Sequence, residues 1–115
     1  MSNLPDNIQN VLNEFVTRIN DVLKDKVNKI ILYGSYARGD YRENSDLDIM
    51  VLTDLSEEEI VDVRTELWDI ASDIGLENNI MISIMLKNVE DYNYWLDTLP
   101  FYINVKNEGV VLNGW

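Results

Sequence analysis

The chain of 115 residues contains no cysteine and no histidine. Without cysteine there is neither a disulfide framework nor a thiolate zinc site. Without histidine there is no imidazole base and no imidazole metal ligand. Any metal centre must then be built from oxygen, which selects Mg2+, Mn2+ or Ca2+. Positive charge is scarce: 9 Lys and Arg stand against 21 Asp and Glu, a formal net charge of −12. That balance disfavours a broad nucleic-acid-binding surface, which displaces phosphate counterions with clustered Lys and Arg. It favours a basic protein partner, or simply solubility. No apolar run approaches the ~20 residues needed to span a membrane. The start MSNLPDN has neither the basic flank nor the apolar stretch of a signal peptide, so the cytoplasm is the expected location. There is no repeat, low-complexity segment or linker, and the length suits one domain over residues 1–115.

What is present alternates between two periods. Ile8, Val11, Leu12, Phe15, Ile19, Val22 and Leu23 recur at helical spacing, and Pro5 suits a first turn, which predicts a helix over 5–25. The apolar run from Val27 to Tyr33 predicts a first strand, and 46–52 a second. Between them, 34–39 reads as a turn with a short helical start, and 40–44 as a polar loop. Ser56 and Glu59 form a capping-box pattern before an amphipathic helix through Ile60, Val63, Leu67, Ile70, Ala71 and Ile74, with Gly75 as its expected end. A third strand is expected over 80–86. Asn88 is placed to cap a further helix through Tyr92, Trp95, Leu96 and Leu99, which Pro100 breaks or restarts. One or two helical turns over 101–108 and a short strand over 110–112 complete the pattern. The expected class is α/β (α+β): a two-layer domain with helices packed against one sheet.

The chemistry concentrates in GSYARGDYRENSDLD. Gly34-Ser35 follows the first strand, and ten residues later Asp46-Leu47-Asp48 opens the second. Side chains at i and i+2 of a strand point the same way, so Asp46 and Asp48 face one side while Leu47, Ile49 and Val51 face the other. Two carboxylates on one face beside a glycine turn suit a divalent cation bound to a triphosphate. Gly34 lets the backbone approach a phosphate, whose oxygens accept from its N–H groups. Ser35 offers a hydroxyl, and Arg38 a fork of donors. Ser45 reads chiefly as a brace for the loop before the aspartates.

This arrangement resembles the nucleotidyltransferase fold of the DNA polymerase β superfamily. It is similar in particular to minimal nucleotidyltransferases, which serve as antitoxins to HEPN-domain toxins. The resemblance spans nearly the whole chain, from the helix before the motif to the ending LPFYINVKNEGVVL. Gly39 and Ser45 fall in place with the glycine turn and the aspartates. The resemblance implies a mixed sheet packed by helices and nucleotidyl transfer with Mg2+ (or Mn2+) and ATP. It implies Asp46 and Asp48 as catalytic metal ligands, with Gly34, Ser35, Arg38 and Ser45 on the nucleotide side. The implied reaction transfers AMP to a tyrosine of a HEPN ribonuclease toxin in a hetero-oligomer, blocking that toxin with added bulk and negative charge. Aminoglycoside-modifying relatives carry a further domain for which this chain has little room.

Most active members of that superfamily have a third acidic residue on a neighbouring strand. Here the matching segment reads LENNIMIS, and the best-placed residues are Asn79 or Glu77. Asn79 is able to ligate a metal through its amide oxygen but not to act as a base. Three outcomes stay open: two aspartates suffice, Glu77 substitutes, or catalysis is weak or lost. A catalytically weak antitoxin acting by direct binding is therefore the second reading, and a small-molecule nucleotidyltransferase assisted by a partner subunit the third.

Plainer roles stand beside each assignment. The aspartates are otherwise an acidic strand end, Ser35 a turn former, and Arg38 a surface charge paired with Asp40 or Glu43. The run 56–59 is otherwise a solvated helix start. Tyr92, Tyr94, Trp95, Phe101 and Tyr102 read mainly as packing residues, with an exposed subset as a possible partner surface. Trp115 is terminal.

Overall fold

A computed structural model describes residues 4–113; Trp115 lies outside the described residues. Helix α1 spans Asp6–Leu23 and buries Ile8, Val11, Leu12, Phe15, Ile19 and Leu23, the stripe its periodicity predicts. A 3-10 turn, Lys24–Lys26, leads into strand β1, Val27–Tyr33. Then follow α2 (Ser35–Arg38), β2 (Leu47–Thr53) and α3 (Glu57–Asn78). The chain closes with β3 (Ile82–Asn88), α4 (Val89–Trp95), α5 (Pro100–Glu108) and β4 (Val110–Val111).

The four strands form one mixed sheet in the order β3-β2-β1-β4. β1 pairs antiparallel with β2 and with β4, while β2 and β3 run parallel. A parallel pair needs a crossover, and α3 supplies it. The period of two sorts the strand residues between two cores. Ile30, Leu32, Leu47, Ile49 and Val51 join α1 and α3 in the main core. Ile31, Met50 and Leu52 face the other way, under Tyr92 of α4 and Val105 of α5. The main sheet–helix packing thus has the expected two layers, and α4 with α5 adds a smaller cover on the opposite face. Burial of each large side chain contributes roughly 1.5–3 kcal/mol; truncating fully buried Phe15 to alanine would cost about 3–5 kcal/mol.

Local capping follows the sequence closely. The Ser56 hydroxyl accepts from the Glu59 amide at 3.2 Å, and the Glu59 carboxylate accepts from the Ser56 amide at 3.1 Å. The Asn88 carboxamide oxygen accepts from the amides of Glu90 and Asp91 at the start of α4. Pro100 occupies the first turn of α5, so it restarts the helix.

One boundary differs. Gly75 does not end α3; the helix continues to Asn78, and Asn79 caps it with φ 53° in the left-handed region. A side chain at Gly75 would collide with the Ile80 carbonyl, so glycine is needed there for the returning chain to pass close by. β3 accordingly begins at Ile82, two residues later than expected. Glu77 therefore stays in the helix and Asn79 sits at its end, so neither lies on the strand beside Asp46 and Asp48.

Candidate active site

The site assembles where β1 ends and β2 begins. In the antiparallel register Tyr33 faces Asp48, which brings the following residue, Gly34, against that aspartate. Gly34 has φ 77° and ψ −156°, a conformation open to glycine alone. A β-carbon there would overlap Asp48 Oδ2 and lie 3.2 Å from Asp48 Cγ. The bend then runs directly into α2, whose first amides have no carbonyl one turn earlier to bond. Tyr36 fixes α2 by burying its ring in the main core, stacked on Tyr41 at 4.4 Å between centroids. The half-buried Ser35 is held at the start of that turn.

The two aspartates differ in burial. Asp48 is half-buried and Asp46, just before β2, is exposed. Burial pushes the Asp48 carboxyl above the usual carboxylate range; the charge of Asp46 raises it further, and Arg38 opposes both. Tyr33 is raised as well, by burial first and then by the Asp48 charge. Leu47, Ile49 and Val51 are buried in the main core, as the alternation required.

Arg38 reaches two carboxylates. Its Nε lies 3.3 Å from Asp40 and its Nη1 3.1 Å from Glu108 of α5. The pairing with Asp40 was one of the two expected; Glu108, 70 residues away, carries no local signal. The Ser45 hydroxyl accepts from the Arg42 amide at 2.7 Å, so it does brace the loop.

The parallel register sets Ser83 beside Asp48 and Ile82 beside Leu47. The neighbouring-strand residue on the Asp48 face is thus Ser83, with Tyr33 on the other flank. Among the described residues no cluster of three or more Asp, Glu, His or Cys side chains is placed to hold a metal.

The Nucleotidyltransferase domain family matches residues 12–110. The chain belongs to this family. A candidate protein adenylyltransferase of Methanocaldococcus jannaschii, MJ0604, is 34% identical over 106 residues, which is 92% of this chain and 98% of that protein. A second from the same organism, MJ0141, is 37% identical over 100 residues, 87% of this chain and 93% of its own length. Among solved structures, a toxin–antitoxin crystallised with AMP-PNP superposes with a TM-score of 0.52 at 22% identity, covering 90% of this chain and 73% of that one. A nucleotidyltransferase candidate from Sulfolobus solfataricus superposes with a TM-score of 0.54 at 19% identity, covering 91% and 80%. These two likenesses concern the fold.

In this nucleotidyltransferase domain the donor set fits a small hard cation. Mg2+ is held by one or two carboxylates together with substrate phosphates and retained waters. Asp46 and Asp48 supply two carboxylates, and the Ser83 hydroxyl lies on the next strand. The Asp48 carboxyl is raised by burial first and by the Asp46 charge second, and a bound cation would favour its charged form. Sequence reasoning missed Ser83 because the boundary of α3 displaced the strand. It also passed over Tyr33, which alternation alone puts on the Asp48 face.

Proposed function

We propose that this domain transfers AMP from ATP to a hydroxyl of a protein partner, and that the acceptor is a tyrosine of a HEPN ribonuclease toxin. The observation that carries the reading is the abutment of Gly34 on Asp48, with Asp46 close enough to raise that carboxyl. It sets the glycine bend directly against one carboxylate of the pair. Gly34 and the first turn of α2 receive the polyphosphate, Ser35 donates its hydroxyl, and Arg38 turns its guanidinium to a phosphate oxygen. Asp46 and Asp48 would hold Mg2+, which when bound would neutralise charge on the phosphoryl oxygens and the departing pyrophosphate. The acceptor oxygen forms a bond to the α-phosphorus, the bond to the β-phosphate oxygen breaks, pyrophosphate leaves, and the hydroxyl proton passes to water.

The names of the Methanocaldococcus relatives and the toxin–antitoxin neighbours support a protein acceptor. Co-expression with a HEPN toxin encoded beside it, followed by intact-mass measurement of that toxin, tests it: one or more added AMP units are expected. An unmodified toxin, or unchanged labelling by Asp46→Asn with Asp48→Asn, would overturn it.

A second reading rests on the absence of a third carboxylate among the described residues. In it the chain neutralises the toxin by binding alone. The double aspartate variant then still rescues growth of toxin-expressing cells, whereas loss of rescue with binding intact decides for the chemistry.

A further inference from the structure

A groove of about 720 Å³ lies between α3 and β3. Trp68, Gly75 and Leu76 of α3 line it, with Met81, Ser83 and Ile84 from the strand side, and it reaches Asp46. Its apolar side chains are unusually bare: Trp68 is 52% exposed, Met81 66% and Leu76 81%. Large apolar groups gathered on one surface mark an interaction site. β3 is also the terminal strand of the sheet, so its outer edge pairs with no strand among the described residues. Such an edge is a template for an added strand. The groove's own charged residue is Asp46, and no lysine or arginine lines it. Arg64, the only basic residue of α3, lies over the Trp68 ring at 5.7 Å, while Asp62, Glu66, Asp69, Asp73 and Glu77 leave the helix strongly negative.

We propose that this groove seats the acceptor polypeptide as an extended segment, basic and apolar in alternation, laid along the free edge of β3. The proposal rests on the transfer reading for its purpose and adds where the acceptor docks. Alternation sets the geometry. The residue of the added strand beside Ser83 shares the face of Asp48, two strand spacings away, or about 9.6 Å. A tyrosine there leans its hydroxyl towards the aspartates. Its two neighbours point to the other face and enter the apolar groove against Trp68 and Leu76. Lysine or arginine in the same segment meets Asp46, the groove's charged residue, with no lysine or arginine in the lining to oppose it, which gives attraction and register. A second copy of this chain is opposed instead, because its acidic α3 would bring like charge.

The test uses the full chain and a short fluorescein-labelled peptide of alternating Lys and Val around a central Tyr, read by anisotropy without ATP or Mg2+. Trp68→Ala with Leu76→Ser changes two side chains that are more than half exposed, so the fold is kept. The pair is expected to weaken the peptide by about tenfold or more, in the manner of an aromatic anchor. Affinity for a fluorescent ATP analogue with Mg2+ is expected to stay within about twofold, since the change lies outside the phosphate bend. No binding by the wild type, equal binding by the variant, or equal binding of a peptide with Glu in place of Lys overturns the proposal. So does loss of nucleotide affinity with the peptide unaffected, which makes the groove a base pocket. A dimer in sedimentation that the variant dissolves overturns it in favour of self-pairing. Because binding is read without turnover, a failure of AMP transfer leaves this result standing and separately interpretable.

Discussion

Gly34 lies against Asp48 so closely that a methyl group on Gly34 would occupy the space of Asp48 Oδ2. The glycine therefore serves two ends: it adopts φ 77°, and it leaves room for the carboxylate. Gly34→Ala should cost on the order of 1–3 kcal/mol from the backbone conformation alone. The displaced aspartate adds to that. In an Asp48→Ala background the steric part disappears and the conformational part remains. A double-mutant cycle by urea denaturation should show Gly34→Ala costing less when Asp48 is already absent. Equal costs in both backgrounds would mean that the two residues do not touch.

Asp48 makes stability and metal binding depend on pH in a defined direction. Its carboxyl titrates above the usual range in the folded chain, through burial first and Asp46 second. The folded chain then binds a proton that the unfolded chain has already released. Stability declines as pH rises through the interval between the unfolded and folded pKa values, and the penalty persists above it. Asp48→Asn removes that penalty. At neutral pH and without metal the variant should melt higher than wild type, with the difference vanishing below the unfolded pKa. Mg2+ should raise the Tm of the wild type and leave the variant unmoved. Mg2+ affinity should fall, on acidification, at a higher pH than an ordinary carboxylate pair would give. A variant that melts lower at neutral pH contradicts the direction argued from burial.

The strand register makes a sharp distinction between two engineered carboxylates. Ser83 pairs with Asp48, while Asn79 caps α3 at φ 53°. Ser83→Asp puts a third acid beside the pair, so metal-free stability should fall and Mn2+ or Mg2+ affinity rise. The gain in affinity should be about tenfold, on the scale of a charge-assisted contact. Asn79→Asp should leave metal affinity near the wild-type value, because its side chain belongs to a helix end. Isothermal titration of both variants decides. A gain at 79 and none at 83 would place the third ligand where the sequence alone suggested it.

That contrast shows how far the sequence could be read. β1 is found at Val27–Tyr33, as its apolar run predicted, and β2 begins one residue late. The capping box at Ser56 and the restart at Pro100 are local chemistry, so they were legible. The closeness of Asp48 to the glycine bend followed from spacing and alternation, while Asp46 lies just before β2. Gly75 was misleading because a glycine before a polar stretch resembles a helix stop. Its actual role, admitting the Ile80 carbonyl, is a tertiary contact with no local trace. The left-handed cap fell instead to Asn79, the other residue type that tolerates it. Glu108 met Arg38 across the fold, and periodicity does not report such encounters.

The pairing of Arg38 with Glu108 yields the last test. Arg38 is surface-exposed and shared between Asp40 and Glu108, and it also lowers the Asp48 carboxyl. If its guanidinium serves a phosphate, binding ATP requires it to leave at least one of these carboxylates. Glu108→Gln removes a competitor while keeping the shape of the side chain. Nucleotide affinity should then rise, by roughly two- to fivefold for one exposed ion pair. Arg38→Ala should lower it by about tenfold, the loss of a charge-assisted phosphate contact. Both changes should leave the urea midpoint nearly unmoved, because exposed ion pairs contribute little to stability. Fluorescence titration of an ATP analogue with Mg2+ measures both effects. If Glu108→Gln and Arg38→Ala leave the affinity unchanged, Arg38 is only a surface charge tying α2 to α5.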